Sequence, residues 1–526
     1  MAGRVKLLQF PFLFVFLTSA ESAKMLVTVL LGGSHYLLFD EISHVLHEDG
    51  HDVNMLVQID NPKIKGVNYT GRNNSYRITS WSAGEEYLSS YNTWFLEQQK
   101  LFLQGKYSLN IFLDFVGHLA LQCEWIMSDN ELMNSLKAEQ FDIAVVDMFN
   151  PCSLLLAEKL HLRFVAVHSG NFWNWYLAGL PSPPSYVPVA YSLLTDQMGF
   201  WDRLKNSIMF LSSSLVESMI FAKFERVIKT CFPVESEPNL SELYLKAELE
   251  IYNTDFTLEF PRPLLPNVVY VGGLLAKPAK PVSQELEEFI LAAGENGFVV
   301  VTLGSMLASV NMPIVLKEMN TAFSQLPQAV IWRHVHSDWP SDVQPAPNIK
   351  LVDWLPQNDL LGHPKARLLV THGGLNSLME ATYHGVPVIG IPLFGDQFDN
   401  MVRVEAKGLG LTIQVNQLKA QQLSNAMATV IGDKRYKRSA LALSRIHRSH
   451  PFPPRERLVR WVKHIVQLGG GSHLRAYGLQ QPWYQLYLID VILFLLVVSS
   501  VILYIIIKVV KSVIGALCRG RKSKVA

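Results

Sequence analysis

Cysteine is scarce: Cys123, Cys152, Cys231 and Cys518 are the four present, and none forms a Cys-x-x-Cys pair. That spacing excludes a zinc ribbon or a thioredoxin-like redox motif, and it removes the need for a disulfide scaffold. One bridge among the first three is conceivable in an oxidising compartment, but buried free thiols are the expected state. Charge of one sign is also missing. Lys and Arg total 46 against 45 Asp and Glu, a net charge of +1, which offers no long-range field to a polyanion and excludes nucleic acid as a partner. No Asp-x-Asp pair occurs, no repeat of fixed period suggests a solenoid, and no Gly-x-Gly-x-x-Gly turn follows the first strand-like run, which counts against a dinucleotide-dependent oxidoreductase.

Hydrophobic residues make up 49% of the 526, more than a single core usually organises, and two globular domains are expected. Arg4 and Lys6 precede an apolar run from Leu7 to Leu17, and small residues follow to Ala23. That is the order of a secretory signal, with cleavage expected between Ala20 and Ala23. Val491–Ile507 is uncharged and interrupted by Ser499 and Ser500 alone; its flanks extend it to residues 488–510, long enough for a spanning helix. Lys508, Lys511, Arg519, Arg521, Lys522 and Lys524 follow without an acid, which predicts a cytosolic tail and a lumenal body. The final Lys-Ser-Lys-Val-Ala resembles a dilysine retrieval signal of the endoplasmic reticulum membrane. Sequons at Asn68, Asn73 and Asn239 suit a glycosylated lumenal chain of single-pass type I topology.

Met25–Leu31 is a β-branched-rich run ending in Gly32-Gly33, residues 36–46 carry apolar positions at helical spacing before Gly50, and Val53–Val57 is a second strand. A βαβ unit results, which dictates a parallel sheet. Five prolines around Gly272-Gly273 mark a linker between Phe260 and Pro281, after which a second α/β series begins at Phe298. The expected organisation is a signal at 1–23, a first domain at 24–260, a linker at 261–284 and a second domain at 285–445. A segment at 446–487 returns toward the first domain, a transmembrane helix occupies 488–510 and a basic tail 511–526. Ligands of such doubly wound domains bind beyond the carboxyl ends of the strands.

The run from Trp354 to Gln397 carries the most chemistry. A strand-like Leu368–Thr371 leads into His372-Gly373-Gly374, and Asn376 and Glu380 share a helical face with His372. Two glycines at a strand-to-helix turn let backbone approach a phosphate, and the helix N-terminus adds partial positive charge: a diphosphate site.

The string Trp354, Gln357, His372, Gly373, Gly374, Asn376, Glu380, Pro387, Pro392, Asp396 and Gln397 resembles the signature of the UDP-glycosyltransferase family in residue type and spacing. The likeness runs from Gly32-Gly33-Ser34-His35 to the C-terminal anchor and is nearest the family-3 branch. It implies an α/β architecture of the GT-B fold, two facing doubly wound Rossmann-like domains plus one C-terminal transmembrane helix. It also implies a UDP-sugar as donor co-substrate with no permanently bound cofactor and no metal. Trp354 would stack on uracil and Gln357 bond the nucleoside. Glu380 would accept the ribose hydroxyls, Ser305 and His372 donate to the phosphates, and Asp396 and Gln397 fix sugar hydroxyls.

Ser34-His35 follows the first strand, and a histidine there suits the removal of a proton from an acceptor hydroxyl. In the family an aspartate five residues before a cysteine holds that histidine, which points to Asp147. Carboxylate on one ring nitrogen fixes the tautomer and stabilises the imidazolium. The expected reaction is direct displacement with inversion to a β-glycoside. Most vertebrate members use UDP-glucuronate and carry an arginine where this chain has Asn253, so a neutral sugar is expected, glucose or xylose ahead of N-acetylglucosamine, with Phe394 as an apolar wall. Aromatics including Trp81, Tyr87, Trp94, Phe95, Phe102, Phe172, Trp173, Trp175 and Tyr176 suggest a small lipophilic acceptor. The resemblance leaves room for homo- or hetero-oligomers with related transferases. The competing readings are glucuronosyl transfer on the same fold and a silent lumenal protein that binds a lipophile.

Overall fold

The computed structural model describes residues 22–59, 75–170, 179–304 and 313–522, with side chains as far as Ala516. Most of the expected signal, the sequons at Asn68 and Asn73, Ser305, and the aromatics Phe172, Trp173, Trp175 and Tyr176 lie outside the described residues.

Short apolar runs rich in Val, Ile, Ala and Phe, buried along their whole length, read as strands covered on both faces, and they fold that way. β1 (Lys24–Val29), β2 (Asp52–Gln58), β3 (Arg77–Trp81), β4 (Ile143–Asp147), β5 (Phe164–His168), β6 (Leu249–Tyr252) and β7 (Val268–Tyr270) form one sheet in the order β3-β2-β1-β4-β5-β6-β7. β8 (Phe298–Thr302), β9 (Ala329–Arg333), β10 (Ile349–Val352), β11 (Ala366–Thr371), β12 (Val388–Gly390) and β13 (Gly410–Thr412) form a second in the order β10-β9-β8-β11-β12-β13. Every pairing is parallel. Chain order reverses between β1 and β4 and again between β8 and β11, and each reversal opens a crevice at the carboxyl ends of the strands.

The helices that position the site are α1 (Ser34–Glu48), α2 (Glu85–Leu103), α3 (Leu109–Ser128), α4 (Pro151–Lys159), α5 (Phe200–Cys231), α6 (Leu375–His384), α7 (Gln397–Ala406), α8 (Lys434–Arg448) and α9 (Pro454–Gln467). α9 packs on α1, β6 and β7. Its Arg457 donates to the carbonyl of Tyr270 at 2.6 Å, so the chain after the second sheet is bonded to the first. Phe102 and Leu103, at the end of α2, are buried among side chains of the second sheet.

Two expectations need correction. The proline-rich stretch 261–284 contains β7, the seventh strand of the first sheet, because Val268, Val269 and Tyr270 register against Glu250, Ile251 and Tyr252. Cys123 and Cys152 are not free thiols but a disulfide between α3 and the start of α4, their Cα atoms 5.3 Å apart. Pairing follows from the packing of those two helices, which no spacing in the sequence encodes. Cys231 is free.

A separate unit begins at His473. It holds α10 (Ile489–Lys522), exposed along nearly all of its described side chains and, over Ile489–Ala516, long and apolar enough to cross a membrane. This helix extends beyond the expected 488–510.

Candidate active site

Both crevices are furnished by the residues that follow their strands. In the first, Gly33 takes φ 71 to turn the chain from β1 into α1, and His35 stands on the first turn of that helix. Asp147 ends β4 across the reversal, fully buried. Its Oδ2 lies 2.8 Å from His35 Nδ1, and its Oδ1 accepts the N–H of Phe149 at 3.1 Å. Ser169, directly after β5, brings its hydroxyl within 3.0 Å of the same Nδ1. With Nδ1 held, Nε2 is the nitrogen left to meet a ligand. Burial pulls the imidazole pKa down, but the charge and hydrogen bond of Asp147, helped by Asp396, more than reverse it, and the pKa is raised above its ordinary 6.5.

Buried polar side chains brace this crevice from below. Gln122 on α3 donates to the carbonyl of Leu30 at 2.8 Å and accepts from Asn150 at 3.1 Å. Asn150 caps α4 by accepting the N–H of Cys152. The loops after β1 and β4 are thereby tied to one helix, and the disulfide sits immediately behind them. Aromatic rings lead away from His35: Phe149 at 5.2 Å between centroids, then Phe115, then Trp94. Tyr87 and Phe95, by contrast, are buried core residues stacked on Tyr91.

In the second crevice, Gly373 takes φ 88, a conformation glycine adopts freely, and α6 begins two residues later, with Gly374 at its N-cap. A Cβ at Gly304 or at Gly374 would come 2.7 Å from the ring of His372. The imidazole is therefore seated between two glycines, one after β8 and one after β11. Burial and the neighbouring Arg333 push its pKa down to about 4, so at neutral pH it is an uncharged hydrogen-bond donor.

Trp354 is half exposed, and the guanidinium of Arg333 lies 4.6 Å from its ring centroid. Gln357 donates to Glu380 and to Ser377, so the two residues expected around the nucleoside are joined. Glu380 is pushed up to about 7, chiefly by burial and against the hydrogen bond from Gln357. Asp396 accepts from Asn400 at 2.8 Å, and burial raises its pKa. Gln397 is spent differently from expectation: its Oε1 accepts the N–H groups of Leu393 and Phe394, which leaves Nε2 as the donor available to a ligand. Phe394 packs on Phe102, 4.8 Å between ring centroids.

The two crevices share one site. Asp396 lies near enough to His35 to shift its titration and 3.3 Å from where a Cβ on Gly170 would stand. Asn253, buried just after β6, donates through Nδ2 to Asn376 Oδ1 at 2.8 Å. Arg333, Ser169 and Gly304 were not singled out in the sequence, yet all three follow or end strands at the carboxyl side. Tyr107 and Tyr191 bring their hydroxyls within 3.3 Å of each other, and Asp399 accepts from the backbone of Tyr191 and Leu193; no local pattern announces these. Asn239 is exposed and caps a short helix by accepting from Ser241.

The geometry can be set against known proteins. The family model described as UDP-glucoronosyl and UDP-glucosyl transferase matches residues 23–524. UDP-glucuronosyltransferase 3A1 of Xenopus laevis is 49% identical over 504 residues, covering 96% of this chain and 96% of the relative. The human 2-hydroxyacylsphingosine 1-beta-galactosyltransferase is 36% identical, over 92% of this chain and 87% of its own. Among solved structures, a glycosyltransferase of kitacinnamycin superposes with a TM-score of 0.56 at 14% identity, covering 85% of this chain and 99% of that one, which speaks for a shared GT-B fold alone. A match across almost the whole chain, on top of paired crevices furnished as above, makes this chain a member of the UDP-glycosyltransferase family, in its family-3 branch, and a UDP-glycosyltransferase by activity.

Proposed function

We propose that the chain transfers a neutral sugar, glucose or xylose ahead of N-acetylglucosamine, from a UDP-sugar to a hydroxyl of a small lipophilic acceptor. The acceptor oxygen forms its bond to the anomeric carbon as the carbon–oxygen bond to UDP breaks, and its proton passes to Nε2 of His35. Asp147 stabilises the imidazolium that results. The observation that carries this reading is the His35–Asp147 bond of 2.8 Å, with Asp396 near enough to raise the titration of the same imidazole, which supports a base and a sugar-binding carboxylate in one site.

Around the donor, Trp354 stacks uracil, Glu380 accepts from the ribose, and His372 with the Gly373-Gly374 turn donates to the diphosphate. The leaving group is already a stabilised anion, which lessens the need for an acid or a metal. Ser305 completes the phosphate donors in the family pattern. Phe149, Phe115 and Trp94, the rings leading from His35, form the apolar side that receives the acceptor. The donor preference rests on Asn253: in a buried place beside Asn376, a glucuronate carboxylate would find an amide and not a guanidinium.

α10 anchors the chain in the endoplasmic reticulum membrane with its body in the lumen, a location that suits the Cys123–Cys152 disulfide. Protease added to intact microsomes is expected to spare everything before Leu488; digestion of the body without detergent would overturn the topology. The donor is tested by offering UDP-glucose, UDP-xylose, UDP-N-acetylglucosamine and UDP-glucuronate at equal concentration with one phenolic acceptor, alongside Asn253→Arg. Preference for UDP-glucuronate by the unaltered enzyme overturns the neutral-donor reading.

A further inference from the structure

α5 is long and apolar enough to cross a membrane, yet it cannot do so as a helix surrounded by lipid. It packs along α3, and Asn206, Ile220, Phe224 and Val227 bury one face. The opposite face is bare. Trp201, Leu204, Ile208, Leu211, Leu215 and Met219 recur every three or four residues and so form one stripe, about 27 Å long at 1.5 Å per residue. All six are exposed, Trp201 at 75%, Leu211 at 74% and Leu215 at 67%. Large apolar side chains lined up in this way on a soluble surface mark a contact with something apolar.

We infer that α5 is a second membrane contact, an in-plane helix whose apolar stripe sits in the headgroup–acyl boundary of a phospholipid bilayer. The inference rests on the reading of α10 as the anchor, since a tethered body meets the bilayer at high effective concentration and a modest apolar surface then suffices to hold it there.

Three observations favour lipid over a protein partner. Glu217 is the sole ionisable residue between Lys205 and Lys223, and it lies toward Tyr244 on the core side. The exposed hydroxyls of Ser212, Ser214 and Ser218 donate back to the carbonyls of Met209, Leu211 and Ser214 at 2.9, 3.3 and 2.9 Å. Hydroxyls bonded within their own helix need nothing from the surroundings, which is the condition for lying in hydrocarbon, whereas a protein interface uses such groups across itself. Charge then ends the stripe: Glu225, Arg226 and Lys229 are exposed in the turns beyond Met219.

The test places the full chain in phosphatidylcholine vesicles that contain a photoactivatable diazirine on the acyl chain, with lipid adducts mapped by mass spectrometry. Adducts are expected in both 489–516 and 200–219. The triple variant Trp201→Ser, Leu211→Ser, Leu215→Ser should lose adducts at 200–219 by on the order of tenfold or more, since it removes half of the stripe's apolar side chains, including its three most exposed. Its labelling at 489–516 and its UDP-sugar turnover should be unchanged. Adducts on α10 with none on α5, or α5 labelling that survives the triple variant, overturn the in-plane contact and leave the anchor standing. Adducts on neither helix overturn the anchor and this inference together, and cross-links joining α5 of two copies assign the stripe to a second copy instead.

Discussion

The carboxylate of Asp399, on α7 of the second sheet's half, accepts the backbone N–H of Tyr191 at 2.6 Å and that of Leu193 at 3.3 Å. Tyr191 and Leu193 stand at φ 64 and 56, left-handed conformations that cost a non-glycine residue roughly 1–2 kcal/mol each and persist only when something holds them. Asp399 is that restraint, and it lies one helical turn from Asp396. Tyr107, bonded to Tyr191, also reaches the backbone of Gly395. Asp399→Ala should let the loop relax and raise KM for the UDP-sugar about tenfold with a smaller change in kcat, in keeping with the ~1.5–3 kcal/mol of a hydrogen bond to a charged group. Steady-state kinetics at varied donor concentration separates the two effects. An unchanged KM would remove Asp399 from donor binding.

His35→Ala should lower turnover by roughly 10²–10⁴-fold while UDP still binds. The pH profile carries a sharper statement. A base must be unprotonated, and this imidazole titrates above 6.5 because Asp147 and Asp396 outweigh its burial. kcat/KM should therefore fall as pH drops through a midpoint above 6.5. In Asp147→Asn burial is less opposed, and the midpoint should move to lower pH along with a loss of rate. A midpoint that stays in place would dissociate Asp147 from the base.

Glu380 supplies a second pH dependence, in binding. Burial holds its carboxyl at about 7 in the empty site, so near neutrality it is partly protonated. Ribose hydroxyls that donate to the carboxylate favour its charged form and lower that value. UDP affinity should then weaken as pH falls below about 7, with proton release on binding at neutral pH. Calorimetry in buffers of different ionisation enthalpy measures the release, and Glu380→Gln should abolish it. His372, pushed down to about 4, stays neutral through this range and contributes nothing to the effect.

Gly374→Ala isolates the seat of His372. Backbone at φ −66 and ψ 137 suits any residue, so strain is not at issue. The added Cβ would stand 2.7 Å from the imidazole, and the ring must leave its place. UDP affinity should fall about tenfold, as expected for a lost hydrogen bond to a charged group. Near-normal affinity would mean that His372 does not touch the diphosphate.

Much of this was legible from the chain itself. The strands Lys24–Val29 and Asp52–Gln58 fall where the apolar runs Met25–Leu31 and Val53–Val57 predict them, because a parallel strand covered on both faces is largely apolar and a turn must interrupt it. His35 follows a strand, where ligands meet a doubly wound sheet, and Asp147 was pointed to by the family pattern five residues before Cys152; the two side chains meet because the ends of β1 and β4 adjoin at the reversal of chain order. The apolar run after Leu488 likewise announced a helix, since its composition alone requires a nonaqueous neighbour.

What the sequence could not decide involves residues brought together from far apart in the chain. Cys123 finds Cys152 only because α3 packs on the start of α4. β7 joins the first sheet despite its proline-rich surroundings, where Arg457, nearly two hundred residues later, donates to the Tyr270 carbonyl and α9 packs on the strand. Gln397 looks from its motif like a ligand group, but half of its amide is consumed by the turn at Leu393 and Phe394. The exposure of one face of α5 and the burial of the other are equally invisible in a helix whose apolar residues run around both. Periodicity and turn chemistry are local and are written in neighbouring residues; hydrogen-bond partners, disulfide mates and bare surfaces depend on which elements pack together, and only the tertiary structure chooses those.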